Sequence, residues 1–367
     1  MRRCARRTVP RGRVSIPDER IEAPPAVSVV LPVLDEEKDI RRLLDEILRQ
    51  EDPPRGFEVL VVDGGSRDRT RSIVTDMAAS EARLRLLHNP GVRSSAGRNV
   101  GAAAARGDYV LYIDGHCGLP RPDYLVRLVQ IFEATGAACL CRPQPLMDLA
   151  TEDWARAIAA ARHSWLGHNP GSDIYRETAA ITDPRSAGAA YRRSTVIDLG
   201  GYDERFDACE DVEFNHRVAR AGLIAYRHPD LRIHYRPRTS LRSLHRQMQR
   251  YGRGRARLMA KHPEVVPWAL VGISILLPAF AVGLAAAGWR RGIAGVMLAG
   301  LAYLAVTLIE GVRAAGFGLQ ALRTAVVFGF LHSGLFLGFW RGLGEWWRFR
   351  TQAPVTMSRA PGGAGQS

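Results

Sequence analysis

The triplet Asp114-Gly115-His116 sets a carboxylate and an imidazole two residues apart. Both side chains ligate divalent ions, and imidazole favours manganese-like metals more than magnesium. An ion held by few protein groups and by phosphate oxygens balances the charge of a bound diphosphate. Glu210-Asp211 follows the flexible segment GGYDERFDAC and opens a helix. Carboxylates at that place complement the helix dipole, and one of them can equally be a general base that takes the proton from an attacking hydroxyl. Asp63, before GGSRDRT, is either a helix-capping carboxylate or a ligand-binding one. In RQMQRYGR, Gln247, Arg250 and Tyr251 form an ordinary basic face, or Arg250 binds a departing pyrophosphate through the paired hydrogen bonds of a planar guanidinium. Arg93 and Arg98 admit the same two readings.

These residues need a scaffold that brings them together. Val27–Val33 reads as a β-branched strand, and the apolar positions Ile40, Leu43, Leu44, Ile47 and Leu48 recur at helical spacing. The pattern then repeats. Phe57–Val62 is a strand followed by a Gly-containing turn and a helix through Met77, Leu84–Leu87 is a strand, Ser94–Ala105 a small-residue helix, and Tyr109–Ile113 a fourth strand. Strands that alternate with helices and read as continuous apolar runs predict a parallel sheet covered on both faces. Ligands of such sheets bind at the carboxyl ends of the strands, where Asp63, Asp114 and the loop at Asp35 fall. Further on, Ala187–Tyr191 and Leu231–Tyr235 are expected strands, and GGYDERFDACEDVEF a loop entering a helix.

Charge and hydropathy divide the chain. The formal net charge of +14 on 367 residues is carried almost wholly by arginine, which suits nucleic acid, acidic lipid or a phosphorylated ligand. One basic cluster is the N-terminal tail. The other, Arg236 to Lys261, directly precedes an apolar run, as expected of the cytoplasmic side of a membrane segment. Its helix, with Leu241, Leu244, Met248 and Tyr251 on one face, suits a membrane surface. Three apolar runs follow, Pro267–Trp289, Gly292–Ile309 and Thr324–Trp340, each close to the ~17–25 residues that cross a hydrocarbon core. With the catalytic part in the cytoplasm, three full spans would leave the C-terminus outside. The arginines around these runs show no clean asymmetry, so a re-entrant run is an alternative. The five cysteines have no zinc-ligand spacing, and Cys139 and Cys141 alternate like strand residues of a reduced cytoplasmic protein. The opening arginines lack an apolar stretch behind them and are not a secretory signal; both this tail and the end after Pro354 read as disordered.

In order, SVVLPVLDEE, VLVVDGGSRDRT, SSAGRNVG, ARGDYVLYIDGH, GGYDERF, CEDVEFNHR and QMQRY resemble the motifs of family 2 glycosyltransferases, from about Val27 to Arg257. Within that family the DGH triplet and the three-run tail look most like succinoglycan-type exopolysaccharide glucosyltransferases. The resemblance implies an α/β GT-A (Rossmann-like) nucleotide-diphospho-sugar transferase domain with a mostly parallel central sheet, followed by C-terminal transmembrane helices. The implied layout is a basic tail at 1–25, the GT-A domain at 26–237, a basic interfacial helix at 238–265, a membrane domain at 266–342 and a tail at 343–367.

By the same resemblance Pro32, Asp35 and Glu36 border the nucleotide, Asp63 binds uracil and Arg98 helps hold the nucleotide. Asp114 and His116 take the place of the family's metal-binding D-x-D, with Mn2+ or Mg2+ as the divalent metal; here histidine replaces the second aspartate. Asp211 is the implied catalytic base and Glu210 its neighbour. Gln247, Arg250 and Tyr251 resemble Q-x-x-R-W, with tyrosine for tryptophan. The implied reaction is inverting transfer of a hexose, glucose, from a UDP-sugar donor to a polyprenyl-diphosphate-linked saccharide acceptor at the lipid surface of the inner membrane, in a multi-pass protein. A polyprenyl-phosphate glycosyltransferase and a non-catalytic membrane scaffold are the competing readings. No recognised nucleic-acid motif accompanies the basic residues.

Overall fold

Val27–Val33 (β1) is buried at every position except Pro32, so it needs cover on both faces. In the computed structural model, which describes residues 23–146, 150–167, 173–186, 188–265, 283 and 289–357, that cover comes from the helices that follow each strand. Ile40–Leu48 (α1) presents Ile40, Leu43, Leu44 and Ile47 at i, i+3, i+4 and i+7, all fully buried. Phe57–Asp63 (β2), Thr70–Ala78 (α2), Leu84–His88 (β3), Ser94–Ala104 (α3) and Tyr109–Tyr112 (β4) continue the alternation. β1 pairs in parallel with β2 and β4, and β2 with β3. Alternate β1 residues feed two cores: Val27, Val29 and Leu31 pack with α1, and Val30 packs with Ala102 of α3.

Beyond β4 the chain forms Cys117–Gly118 (β5), Tyr124–Thr135 (α4), Cys139–Cys141 (β6), Asp153–His163 (α5), Ala180–Thr182 (β7), Gly188–Arg192 (β8), Arg193–Asp198 (α6), Glu210–Arg220 (α7), Ala225–Arg227 (β9) and His234–Tyr235 (β10). The main sheet has the order β3-β2-β1-β4-β8-β6-β9-β7, with β8 antiparallel to β4 and β6. The strand expected over Leu231–Tyr235 is shorter than its apolar run. Pro229, without an N–H, opens a 3-10 turn over Pro229–Leu231, and only His234–Tyr235 pairs, with β5. That small ladder pins the chain immediately after His116. Cys117, Cys139, Cys141 and Cys209 are buried free thiols.

Leu241–Lys261 (α8) departs from the sequence expectation. Its apolar side is already covered by protein: Leu244, Gln247, Met248, Gly252, Gly254, Ala256, Leu258 and Ala260 are buried. Among the described residues two long apolar helices follow, Trp289–Ala315 (α9) and Leu319–Gly344 (α10), both long and apolar enough to cross a membrane. They contain the Gly292–Ile309 and Thr324–Trp340 runs; Pro267–Trp289 lies almost wholly outside the described residues. α8 and α10 pack backbone to backbone. A Cβ on Gly338 would lie 2.0 Å from the Gln249 carbonyl oxygen, and one on Gly252 2.1 Å from that of Leu335. Small residues permit this approach.

After α10, Trp346–Thr351 (α11) buries Phe349 against Phe206, ring centroids 5.3 Å apart. The Glu204 amide donates to Val355 O (2.8 Å) and that of Met357 to Gly200 O (3.0 Å). Part of the tail expected to be disordered after Pro354 is therefore tied to the segment that leads into α7.

The start of α7 is braced from its next turn. Glu213, with its side chain wholly buried, accepts from Arg217 Nε (2.9 Å), Lys261 Nζ (2.8 Å) and His262 Nε2 (3.0 Å). Burial opposes its ionisation, but His262, Arg217 and Lys261 outweigh burial and hold its carboxyl far below the usual range. A depressed carboxylate stabilises the fold above its unfolded value, about 4.3, and loses that contribution as pH falls toward the folded value. Urea midpoints should show Glu213→Gln less stable than the wild type at pH 7, and the gap should close steadily below about pH 4. A gap that stays constant to pH 3 would refute this account.

Candidate active site

Arg98, on the second turn of α3, is the hub of the cleft. Its Nη1 donates to Glu210 Oε1 (2.5 Å) and its Nη2 to Asp114 Oδ1 (3.0 Å). One buried guanidinium thus ties the segment just after β4 to the start of α7, elements far apart in the sequence. Its guanidinium also sits 5.9 Å from the Tyr112 ring centroid and 5.5 Å from that of Tyr202. Burial would lower the Arg98 pKa, yet Glu210 and Asp114 together drive it well above its ordinary value.

The two carboxylates of Glu210-Asp211 have different surroundings. Glu210 is buried and accepts from both Arg98 and Ser94 Oγ (2.7 Å). Asp211 is exposed to the cleft and accepts from the backbone N–H of Val212 (2.8 Å). Crowding by the cleft walls, and then the charge of Glu210, push the Asp211 carboxyl above its usual value. Cys209, just before them, has φ +62°, a left-handed conformation uncommon outside glycine. The helix therefore starts abruptly, with both carboxylates in its first turn.

The loops after β1 and β2 are zipped together. Asp35 Oδ1 accepts from Arg67 N (2.8 Å), Ser66 Oγ accepts from Asp35 N (2.9 Å), and Thr70 Oγ1 accepts from Glu36 N (2.8 Å). Asp63 is fully buried, and its carboxylate accepts from Gly65 N (3.1 Å), Ser66 N (3.1 Å) and Ser66 Oγ (2.5 Å). In this state Asp63 shapes the 63–66 turn. Pro32 packs under α3, close to Gly97. Glu36 leans over Gly115, and its Oε1 lies 3.7 Å from His116 Nδ1.

α8 closes the opposite side. Gln247 Nε2 donates to Tyr235 (3.4 Å) and Tyr251 (3.3 Å) hydroxyls, and the Tyr235 ring meets His116 edge-on at 5.3 Å. Arg250 is exposed and donates to the Asp207 carbonyl oxygen. Gly254 lets the helix approach: a Cβ there would lie 2.6 Å from Ala208 O. Arg98, Asp114, His116, Glu36, Glu210, Gln247 and Tyr251 thus form a chain of contacts around one cleft, with Asp211 at its edge. Arg93 instead donates to Glu204 O (2.9 Å), at the rim.

Comparison with known proteins identifies the family of the chain. Residues 28–200 match the family Glycosyl transferase family 2. The succinoglycan biosynthesis protein ExoA of Rhizobium meliloti is 33% identical over 326 residues, covering 86% of this chain and 94% of that protein. The chain is a family 2 glycosyltransferase. A pre-mycofactocin glycosyltransferase of Mycobacterium tuberculosis is 28% identical over 301 residues, 82% of this chain and 58% of the relative. The solved structure of the mannosyltransferase PcManGT from Pyrobaculum calidifontis, in complex with GDP-Man and Mn2+, superposes with a TM-score of 0.58 at 21% identity, covering 87% of this chain and 88% of that one. The shared fold is GT-A, with the C-terminal apolar helices appended.

In this glycosyltransferase, ligand atoms of Asp114, His116 and Cys117 lie within 4.8 Å of one another. Burial pushes the Cys117 thiol up to about 12, so it stays protonated and is a poor ligand beside the other two. Asp114 remains ionised: burial works against it, but Arg98, His116 and Arg142 hold its carboxyl below the ordinary value. A carboxylate and an imidazole at the cleft floor fit a divalent ion. Ser94, Arg142 and Tyr235 belong to the site but were not singled out from the sequence. Ser94 opens the quoted SSAGRNVG motif, which was the one available signal; the roles of Arg142 and Tyr235 depend on tertiary contacts.

The position of Asp211 has a kinetic consequence for the enzyme. If it is the base, the acid limb of the kcat/KM profile should lie above the ~3.9 of a free aspartate, because the raised pKa must be exceeded before the base is available. Glu210→Gln removes the neighbouring charge and should move that limb to lower pH. An unmoved limb would show that another group titrates.

Proposed function

We propose that the protein is an inverting hexosyltransferase that moves glucose from UDP-glucose to a polyprenyl-diphosphate-linked saccharide in exopolysaccharide or cell-surface glycan synthesis. The observation that carries the mechanism is the contrast within Glu210-Asp211. Glu210 is held by Ser94 and Arg98, whereas Asp211 faces the cleft with a raised pKa. Asp211 takes the proton of the acceptor hydroxyl as its oxygen bonds to the anomeric carbon; the bond from that carbon to the diphosphate oxygen breaks, and UDP leaves. Attack opposite the leaving group inverts the anomeric centre.

Asp114 and His116 would hold a divalent metal, Mn2+ or Mg2+, which would supply positive charge for the diphosphate. Arg250, exposed on α8, binds the same phosphates, with Gln247 and Tyr251 shaping that wall. Pro32, Asp35, Glu36 and Arg98 border the nucleotide, and Asp63 orders the loop on which the uracil rests. Support for a lipid-linked acceptor comes from the apolar helices beside the site and from the relative named for succinoglycan biosynthesis. The enzyme works at the inner membrane with its catalytic part in the cytoplasm, where nucleotide sugars are made and free thiols persist.

The test is release of UDP from UDP-glucose by membranes containing the protein, with and without manganese and with defined acceptors. Release that requires a polyprenyl-diphosphate-linked saccharide supports the proposal. Consumption of a bare polyprenyl monophosphate would replace it with a polyprenyl-phosphate glycosyltransferase. Release from another nucleotide sugar alone would correct the donor, and silence across the whole panel would overturn the reading.

A further inference from the structure

One face of α10 is exposed and, apart from Ser333 midway, apolar: Leu319, Leu322, Val326, Phe330, Leu337 and Trp340. At about 100° per residue these positions fall within a stripe roughly 80° wide. The opposite face is covered from end to end. Near its start Gln320 donates to Asp153 O (2.8 Å), Arg323 pairs with Asp153 (2.7 Å), and Val327 and Phe328 join Ala157 and Ile158 of α5. Near its end Arg341 donates to Gln249 (3.0 Å), and Glu345 pairs with Arg257 (2.9 Å). Between these ends the helix runs along α8, which carries six arginines and a lysine.

This packing decides orientation. If α10 crossed a bilayer, α5 and α8 would enter the hydrocarbon beside it, and each arginine at the centre costs about 2.5–3.5 kcal/mol on insertion scales. Lying flat, the same helix buries its apolar stripe and leaves those arginines at the head groups. We infer that α10 lies in the plane of the bilayer surface, its apolar stripe in the lipid and the α/β part resting on it. The inference depends on the membrane-bound reading above. Lipid is the occupant that fits: Leu319–Gly344 contains no acidic residue, the exposed Arg341 follows Trp340 at the end of the stripe, and the exposed Trp347, Arg348 and Arg350 come just after it in the chain, a composition suited to an anionic surface.

Two consequences follow for topology and for access. Val265 packs with Phe206 and Leu258, and both α10 and Met357 are seated on the α/β part. The chain from the end of α9 through Met357 therefore stays on the catalytic side. Only α8 separates α10 from the Ala208–Asp211 loop, and packed helices lie about 8–10 Å apart. The catalytic carboxylates thus sit one helix layer above the lipid, within reach of an acceptor head group.

The full-length protein, with Cys4 replaced by serine, is reconstituted in phosphatidylcholine–phosphatidylglycerol vesicles carrying a fluorophore on Leu322→Cys, Phe330→Cys or Leu337→Cys. Quenching by lipids spin-labelled near the head group or near the bilayer centre reports depth. An in-plane helix gives the same quenching ratio at all three sites, whereas a crossing helix places Phe330 deeper by about 12 Å, and that result would overturn the inference. Absence of quenching at all three would also overturn it, since a protein partner would then cover the stripe. A second measurement is sidedness. An impermeant maleimide should label Arg313→Cys and Gln352→Cys from the same side of native membranes; labelling from opposite sides refutes the topology. Failure of the wild type to float with vesicles would instead overturn the membrane-bound reading itself.

Discussion

Asp211→Asn is expected to lower kcat by about 10²–10⁴-fold while the protein stays folded, the range that a positioned general base contributes. The amide is nearly isosteric and can still accept from Val212 N, the hydrogen bond that the carboxylate makes now. Nothing else in the first turn of α7 depends on it, because Glu210 makes the contacts to Arg98 and Ser94. Donor affinity should therefore be nearly unchanged, and the loss should fall on kcat. Turnover within about threefold of the wild type, in protein with an unchanged melting curve, would remove Asp211 from the base role. The complementary Glu210→Gln should alter binding and the acid limb more than the maximal rate, which separates the two neighbours experimentally.

Arg98→Met should destabilise the protein by about 3–5 kcal/mol, the usual cost of removing one partner from a buried ion pair. The argument rests on what remains. Without the guanidinium, Glu210 keeps Ser94 alone, and Asp114 loses the largest favourable influence on its ionisation. Two carboxylates would then face each other across the cleft without the cation that separates them. Arg98→Lys should recover part of the loss, because an ammonium restores the charge but not the fork that spans both oxygens. Urea denaturation of the detergent-purified protein measures both variants. Added manganese should narrow the gap for Arg98→Met by occupying the Asp114 side. If Arg98→Met unfolds within about 1 kcal/mol of the wild type, the hub does not hold the cleft together.

Much of the α/β architecture was legible in the chain. The β-branched run at Val27–Val33 and the apolar spacing of α1 are local patterns, and they reappear as a doubly covered parallel strand and its helix. Strand ends follow from strand positions, so the placement of Asp63 and Asp114 at one edge of the sheet was also readable. The motif order likewise announced the glycosyltransferase family, since residue identity and sequence order are all that such a pattern uses.

What sequence could not determine depended on which surface meets which. The basic α8 reads as a surface helix because its arginines dominate its composition, yet Gly252 and Gly254 open it to close contact with α10 and with Ala208. The runs containing α9 and α10 pass the same test of length and apolarity, and only tertiary contacts show one side of α10 clamped from Gln320 to Glu345. Likewise residue type alone gives the adjacent carboxylates Glu210 and Asp211 equal standing, and in the sequence only the family resemblance singles out Asp211. The distinction arises because α3 brings Ser94 and Arg98 against one of them and leaves the other facing the cleft. Local sequence set the elements and the chemistry at their ends, because those depend on periodicity and residue type. The long-range packing of α3, α8 and α10 decided which carboxylate is held and which face of α10 stays exposed, because burial and charge pairing are properties of partners that the chain does not place side by side.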